Sequence, residues 1–343
     1  MRKLVSLRTV SHIEPIKDAD FIELAHIDGW QCVVKKNEFK EGDQGIYFEI
    51  DSFLPAGDPR FAFLQKQFIS WQGHYGARIK TIKLKKVLSQ GLLLPLSSFT
   101  EAELYSINDL ETHLNIHKWE PVIPAQLEGE VFGLFPSFIK KTDQERIQNL
   151  SQETIEQEIH PYSFEVSIKL DGTSMTVFYK DGQFGVCSRN YHLKPSDTNT
   201  LWQVASRMRL EAALSALGRN LALQGELMGE GIQGNHEGLK GHHWFIFDIY
   251  DIDKQEYVTP DERYKILNQL LDLGAAPDLN HVPQWGNLHC STYSTINTQT
   301  FLDMASGPSL HHTWREGLVF KRLDGQFSFK AISNEYLLKY HDR

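Results

Sequence analysis

Phe164-Glu165-Val166-Ser167-Ile168-Lys169-Leu170-Asp171-Gly172 alternates apolar and polar side chains up to Lys169 and then turns on Asp-Gly. A period of two marks a half-buried strand, and Asp-Gly is a favoured hairpin turn, so the lysine amine should sit at the floor of a pocket. Outward from it, the same pattern predicts strands over 174–179, 185–188, 221–227, 244–250 and 317–321. Helices are signalled between them over 199–217, with Gly218 as C-cap, over 260–273 behind Thr259-Pro260-Asp261-Glu262, and over 334–340. Another is expected to start at Thr142, where Thr142-Asp143-Gln144-Glu145 reads as a capping box. The fold class is α+β, with antiparallel sheets flanked by helices.

The first third reads differently. Short strands over 30–34, 45–50, 77–87 and 91–96 are broken by turns such as Glu41-Gly42-Asp43. A small closed β-barrel removes open edges from strands of this kind, which points to an OB-fold. This segment also resembles the OB modules of tRNA-binding domains. Residues 118–136 are rich in proline and glycine and read as a linker. The expected organisation is therefore an OB-fold module over 1–117, a linker over 118–136 and a second domain over 137–343.

Hydrophobic content of 41% and charged content of 23% are those of a globular protein, and no apolar stretch reaches the roughly 20 residues that span a bilayer. The expectation is a cytoplasmic protein without a membrane partner. Three scattered cysteines, Cys32, Cys187 and Cys290, form neither a disulfide framework nor a zinc knuckle. His113 and His117 are expected on one helix face, as solvated side chains rather than metal ligands. A net charge of −9 excludes a wholly basic nucleic-acid coat. It leaves room for a local groove: Arg78, Lys80, Lys83, Lys85 and Lys86 fall among apolar residues, either along a phosphate backbone or on a solvated edge strand.

Lys-x-Asp-Gly alone is a weak signal. Behind Lys169 follow, in order, Ser188-Arg189, Gly225-Glu226-Leu227, Phe245-Ile246-Phe247-Asp248, Glu316-Gly317-Leu318-Val319-Phe320-Lys321 and Phe329-Lys330. This ordered set resembles the covalent nucleotidyltransferase superfamily of nucleic acid ligases and mRNA capping enzymes. With the OB-like module ahead of the catalytic domain, the chain resembles the RNA ligase 5 (Deinococcus-type) family over nearly its full length. Phe135-Pro136-Ser137-Phe138-Ile139, Lys141-Thr142-Asp143, Gly231-Ile232-Gln233-Gly234-Asn235 and Phe329-Lys330-Ala331-Ile332-Ser333-Asn334 are similar to that family as well.

The resemblance implies an ATP-dependent RNA ligase with an adenylyltransferase (ATP-grasp-like ligase) domain; a monomer working in RNA repair is the accompanying expectation. Its substrate would be a nicked duplex with an RNA 3′-hydroxyl end. Lys169 is the implied nucleophile on ATP, and a free lysine is protonated at neutral pH, so its pKa has to be lowered. Burial and a nearby Mg2+ or Mn2+, held directly or through water by Asp171, Glu226 and Glu316, are expected to do this. Ile168, Lys169, Arg189 and Glu226 are implied in binding ATP or AMP, with Phe247 preferred over Phe245 for stacking on adenine. Lys321 and Lys330 are assigned to the triphosphate and Arg146 to a phosphate contact. Ser328 stands where the family often has a further lysine. Alternatives are a DNA ligase or guanylyltransferase of the same superfamily, and a non-catalytic OB-fold RNA-binding protein stacking bases on Trp30, Tyr47 and Trp71.

Overall fold

The structure, a computed structural model, describes residues 3–120 and 129–340. Part of the expected linker, 121–128, lies outside the described residues. The chain forms two units: residues up to 122 together with those from 334 onward, and residues 123–333. The terminal helix Asn334–Tyr340 thus groups with the first unit, whereas the sequence placed it in the second domain. Gln90 Nε2 donates to Asn334 Oδ1 at 3.4 Å there.

In the first unit the strands form four ladders rather than one continuously bonded cylinder. Gln44–Phe48 lies between Val5–Thr9 and Leu92–Pro95. Ile22–Ile27 and Trp30–Lys35 make a hairpin closed by Asp28-Gly29, both at positive φ. Trp30, Cys32 and Val34 alternate inward from it. The expected strand over 77–87 is split into the end of His74–Arg78, Thr81–Leu84 and the start of Val87–Gln90. Trp30, Tyr47 and Trp71 are core residues, so the stacking platform of the non-catalytic alternative does not exist at these positions. Tyr47 Oη donates to Gln90 O at 2.8 Å, and Trp71 Nε1 to Glu120 O at 2.6 Å. His117 stands in the strand His117–Lys118 with its ring 4.1 Å from that of His74, and shares no helix face with His113.

The second unit contains two mainly antiparallel sheets. The larger runs Val131–Leu134, Tyr191–Leu193, Gln183–Ser188, Thr173–Lys180, Leu221–Gly229, His242–Asp251, Glu256–Tyr257 in spatial order. The smaller runs Glu145–Arg146, Ser328–Ile332, Gly317–Arg322, Ser163–Lys169, Gln284–His289. Helices Thr200–Arg207, Leu210–Leu217 and Pro260–Asp272 bury Val204, Leu210, Leu214, Ile266 and Leu270 against the larger sheet. The expected single helix over 199–217 is broken at Arg209, which takes φ +54, while Gly218 caps the second piece at φ +68. Phe301 of helix Thr298–Ala305 packs edge-on against Phe320 and Phe329, which stack 4.6 Å apart on the smaller sheet.

No helix begins at Thr142. Residues 141–144 have no regular secondary structure and lead into Glu145–Arg146, which pairs in parallel with Ser328–Ile332; Ser151 caps the first α-helical turn instead. Pairing to a sheet edge overrides the local capping pattern. Among the described residues no helix is long and apolar enough to cross a membrane.

A buried charge network lies in this unit. Arg263 reaches Glu165, Arg263 Nη1 lies 3.8 Å from Asp248 Oδ1, and Lys321 Nζ lies 2.8 Å from the same oxygen. Arg263 Nε also donates to His281 Nε2 at 2.9 Å, so that nitrogen accepts and the ring proton sits on Nδ1, 2.6 Å from Val282 O. Burial, then the Arg263 cation, pushes His281 down to about 3. The unfolded chain therefore protonates first, near pH 6.5. The stability tied to neutral His281 is complete above that pH and is lost as pH falls from 6.5 toward 3. Thermal melts over this window should show a steep loss for the wild type and a shallower one for His281→Gln, which can keep both hydrogen bonds. Equal slopes would place the acid sensitivity elsewhere.

Candidate active site

The register of the smaller sheet creates the central pair. Lys169 ends its strand opposite Gly317, which brings the preceding residue, Glu316, beside the lysine. Lys169 Nζ donates to Glu316 Oε2 at 2.6 Å. Close approach explains the glycine: a Cβ on Gly317 would stand 2.1 Å from Ala331 O. On the other side, the Gly172 N–H donates to Glu226 Oε1 at 3.0 Å, tying the Asp-Gly turn to the strand Leu221–Gly229 of the larger sheet. A Cβ on Gly172 would meet Leu227 O at 2.3 Å, so this turn accepts no side chain.

Burial pulls the Lys169 amine toward the neutral form, but Glu316, Glu226 and Asp171 outweigh it and raise its pKa. The three carboxylates by themselves thus hold the amine as an ammonium ion, and the lowered value expected from the sequence belongs to the site with a divalent cation beside them. Burial drives Glu226 the other way for a carboxyl group, up to about 7, although Lys169 opposes the shift. Asp171 is partly exposed, with His236 Nε2 3.9 Å from its Oδ2.

Lys169 lies in an open cleft of about 650 Å³ walled by both sheets. Ile168, Val319 and Lys330 line it from the smaller sheet, and Ser174, Glu226 and Phe247 from the larger one, with Arg189 at the rim. Lys330 is pushed down to about 8, by burial first and then by the Lys169 cation. Asp143 Oδ1 lies 3.8 Å from Lys330 Nζ and 3.6 Å from Arg189 Nη2, so one carboxylate spans the two cations. Thr142 and Gln144 also line the cleft. The capping pattern hid this segment. Its signal was the resemblance carried by Lys141-Thr142-Asp143.

Three expected residues stand differently from the rest. Lys321 borders the cleft, but its amine is buried, bonded to Asp248 and the Phe247 carbonyl, and pushed down to about 8 by that burial. Phe245 sits in an apolar cluster with Leu170, Met228 and Val282 and stacks on His243 at 6.4 Å, whereas Phe247 reaches the cleft wall. Arg146 lies opposite Lys330 in the parallel pairing.

Asp171, Glu226 and Glu316 all act on the one amine, yet among the described residues no three His, Cys, Asp or Glu side chains are placed to hold a metal ion together. An all-oxygen set of this kind fits a hydrated hard cation gripped through its waters, the habit of Mg2+.

One lysine among three carboxylates at a cleft floor, with further cations at the walls, is an arrangement suited to nucleotidyl transfer. An OB-fold domain profile matches residues 4–96 and an RNA ligase profile residues 163–340, more than half of the chain. A Naegleria gruberi RNA ligase in an apo aspartate-to-alanine variant is 50% identical, covering 100% of this chain and 99% of its own, with a TM-score of 0.84. A glutamate-to-alanine variant of that enzyme with AMP and Mn is 51% identical, with all of both chains covered and a TM-score of 0.83. The same enzyme with PPi is 50% identical over all of both chains, at 0.83. No curated relative matches. The chain belongs to the RNA ligase family.

Proposed function

We propose that this ATP-dependent RNA ligase joins a 3′-hydroxyl to a 5′-phosphate at nicks in duplexes whose 3′-hydroxyl strand is RNA, by way of AMP carried on Lys169. The observation that carries the reading is the Lys169–Glu316 pair at the floor of a cleft walled by Arg189, Glu226, Phe247 and Lys330. The Naegleria gruberi ligase has been captured with ATP and Mn, with AMP and Mn, and with PPi, which are the reactant, product nucleotide and leaving group this reaction needs.

In the first step Lys169 gives up its proton and its amine attacks the α-phosphorus; a phosphoramidate bond forms and pyrophosphate leaves. Glu316 is the acceptor in hydrogen-bond reach of that proton. A bound Mg2+ or Mn2+ supplies positive charge that favours the neutral amine and offsets the phosphate oxygens. Lys330 faces the same oxygens, and their arrival restores the ammonium form that burial disfavours. Phe247 offers a ring face to adenine, Ile168 an apolar contact, and Arg189 a forked donor for ribose or phosphate. Arg146 supports the Lys330 strand from its edge. AMP then passes to the 5′-phosphate, and the 3′-hydroxyl expels it as the phosphodiester forms.

Radioactive ATP is expected to label the protein and GTP not to. Nicks that differ only in the sugar at the 3′ side should be sealed at least tenfold faster with ribose than with deoxyribose. Equal rates would overturn the preference for an RNA 3′ end, and GTP labelling would point to guanylyl transfer.

A further inference from the structure

Thr81–Leu84 and Val87–Gln90 form a separate two-stranded hairpin in the first unit. The second strand is anchored inward: Ser89 Oγ accepts from Val33 N at 3.0 Å, and Leu88 O from Gln31 Nε2 at 3.0 Å. Leu88, Ser89 and Gln90 are buried, while Lys80 and residues 82–86 are exposed. The two-residue loop is Lys85-Lys86, at φ +47 and +70. A type I′ turn requires positive φ at both positions, which is why Asn-Gly and Asp-Gly dominate it. Two lysines here strain the backbone where a better turn was available, and such strain is retained where the side chains have a task.

The task is legible from charge. In a chain of net charge −9, Lys83, Lys85 and Lys86 of one short hairpin, and Lys80 just before it, are all exposed. Lys83 donates to Leu338 O at 3.1 Å; Lys80, Lys85 and Lys86 form no ion pair with any described residue. Arg78, counted with them in the sequence, belongs elsewhere: it pairs with Asp51 at 2.6 Å and covers the Trp119 ring at 3.7 Å. Residues 78–90 hold no aromatic side chain. Single-strand sites add aromatic stacking to a basic groove, whereas duplex binding without base contacts runs on the phosphate backbone, which lysines meet as point charges; a basic hairpin without aromatics fits the second.

We infer that this hairpin is a clamp for the phosphate backbone of the duplex substrate, with Lys80, Lys85 and Lys86 as the contacting cations. The inference rests on the ligase reading and adds where nucleic acid is held. Lys85→Asn with Lys86→Gly writes the preferred I′ turn while removing both charges. The full-length double variant should melt at or above the wild-type temperature and take label from ATP at the wild-type rate. Its binding to a nicked RNA duplex without ATP, followed by fluorescence anisotropy over a salt series, should show a log–log salt slope shallower by roughly 1.8, about 0.9 for each lost contact. Lys80→Gln, an exposed change outside the turn, should lower it by about 0.9. Unchanged slopes in both variants would overturn the clamp, as would a change seen on single strands but not on duplexes. Failure of the wild type to take label from ATP would instead strike the ligase reading, and the slopes would still judge the hairpin.

Discussion

Lys169→Ala is expected to fold and to take up no label from ATP. The side chain ends a strand and belongs to none of the apolar clusters; what is lost is one hydrogen bond, to the partly exposed Glu316, and the attraction of Glu226 and Asp171, and Glu226 is already drawn toward its neutral form by burial. Stability should therefore change by only about 1 kcal/mol. Catalysis should not survive, because a covalent route has no substitute when its nucleophile is gone. The rival amine is Lys330, which shares the cleft and is the less firmly protonated of the two. Lys330→Ala separates the roles. If Lys330 only neutralises phosphate, its loss should slow labelling by about 10²–10³, the usual effect of removing one preorganised electrostatic contact, without abolishing it. Label on Lys169→Ala together with none on Lys330→Ala would move the nucleophile to Lys330.

The difference between those amines marks how far the sequence could be read. Alternation placed the strand carrying Lys169, and caps such as Thr259 and Gly218 set helix ends, because both signals are local. Glu316 was legible as a partner through motif order, but not as an ion pair, since 147 residues separate it from Lys169 and only the sheet register joins them. That register sets a carboxylate on the amine which, with Glu226 and Asp171, raises its pKa, whereas the lowered value expected from the sequence rests on a cation beside them. Thr142-Asp143-Gln144-Glu145 misled for the converse reason. A sound local capping pattern was overruled by pairing with Ser328–Ile332, and the segment became a wall of the cleft. Trp30, Tyr47 and Trp71 show the same limit, because an aromatic ring reads alike in a sequence whether it faces a base or a core.

Lys321→Met should destabilise the protein by about 3–5 kcal/mol, the cost of leaving one member of a buried ion pair behind. Lys321, Arg263, Glu165 and Asp248 are four charges with almost no exposure, two of each sign. Without the Lys321 amine, Asp248 keeps, among the described residues, Arg263 Nη1 at 3.8 Å and Gln144 Nε2 at 3.5 Å. The amine itself is poorly solvated, since burial pushes it down to about 8 despite the carboxylate 2.8 Å away. The pair is thus no net source of stability, and the penalty belongs to the orphaned carboxylate. Lys321→Met with Asp248→Leu should then recover most of the loss in denaturant unfolding, because an apolar pair of similar volume is often neutral or better. What the double variant should not recover is nucleotide affinity. Lys321 also donates to the Phe247 carbonyl, and its Nζ lies 5.4 Å from the centroid of the Phe247 ring, so the buried charge fixes the residue proposed to face adenine. A double variant restored in stability but weaker in ATP binding by tenfold or more would show that the network is kept for the site. Full recovery of both would leave Phe247 positioned by its apolar neighbours Leu170 and Val282 alone.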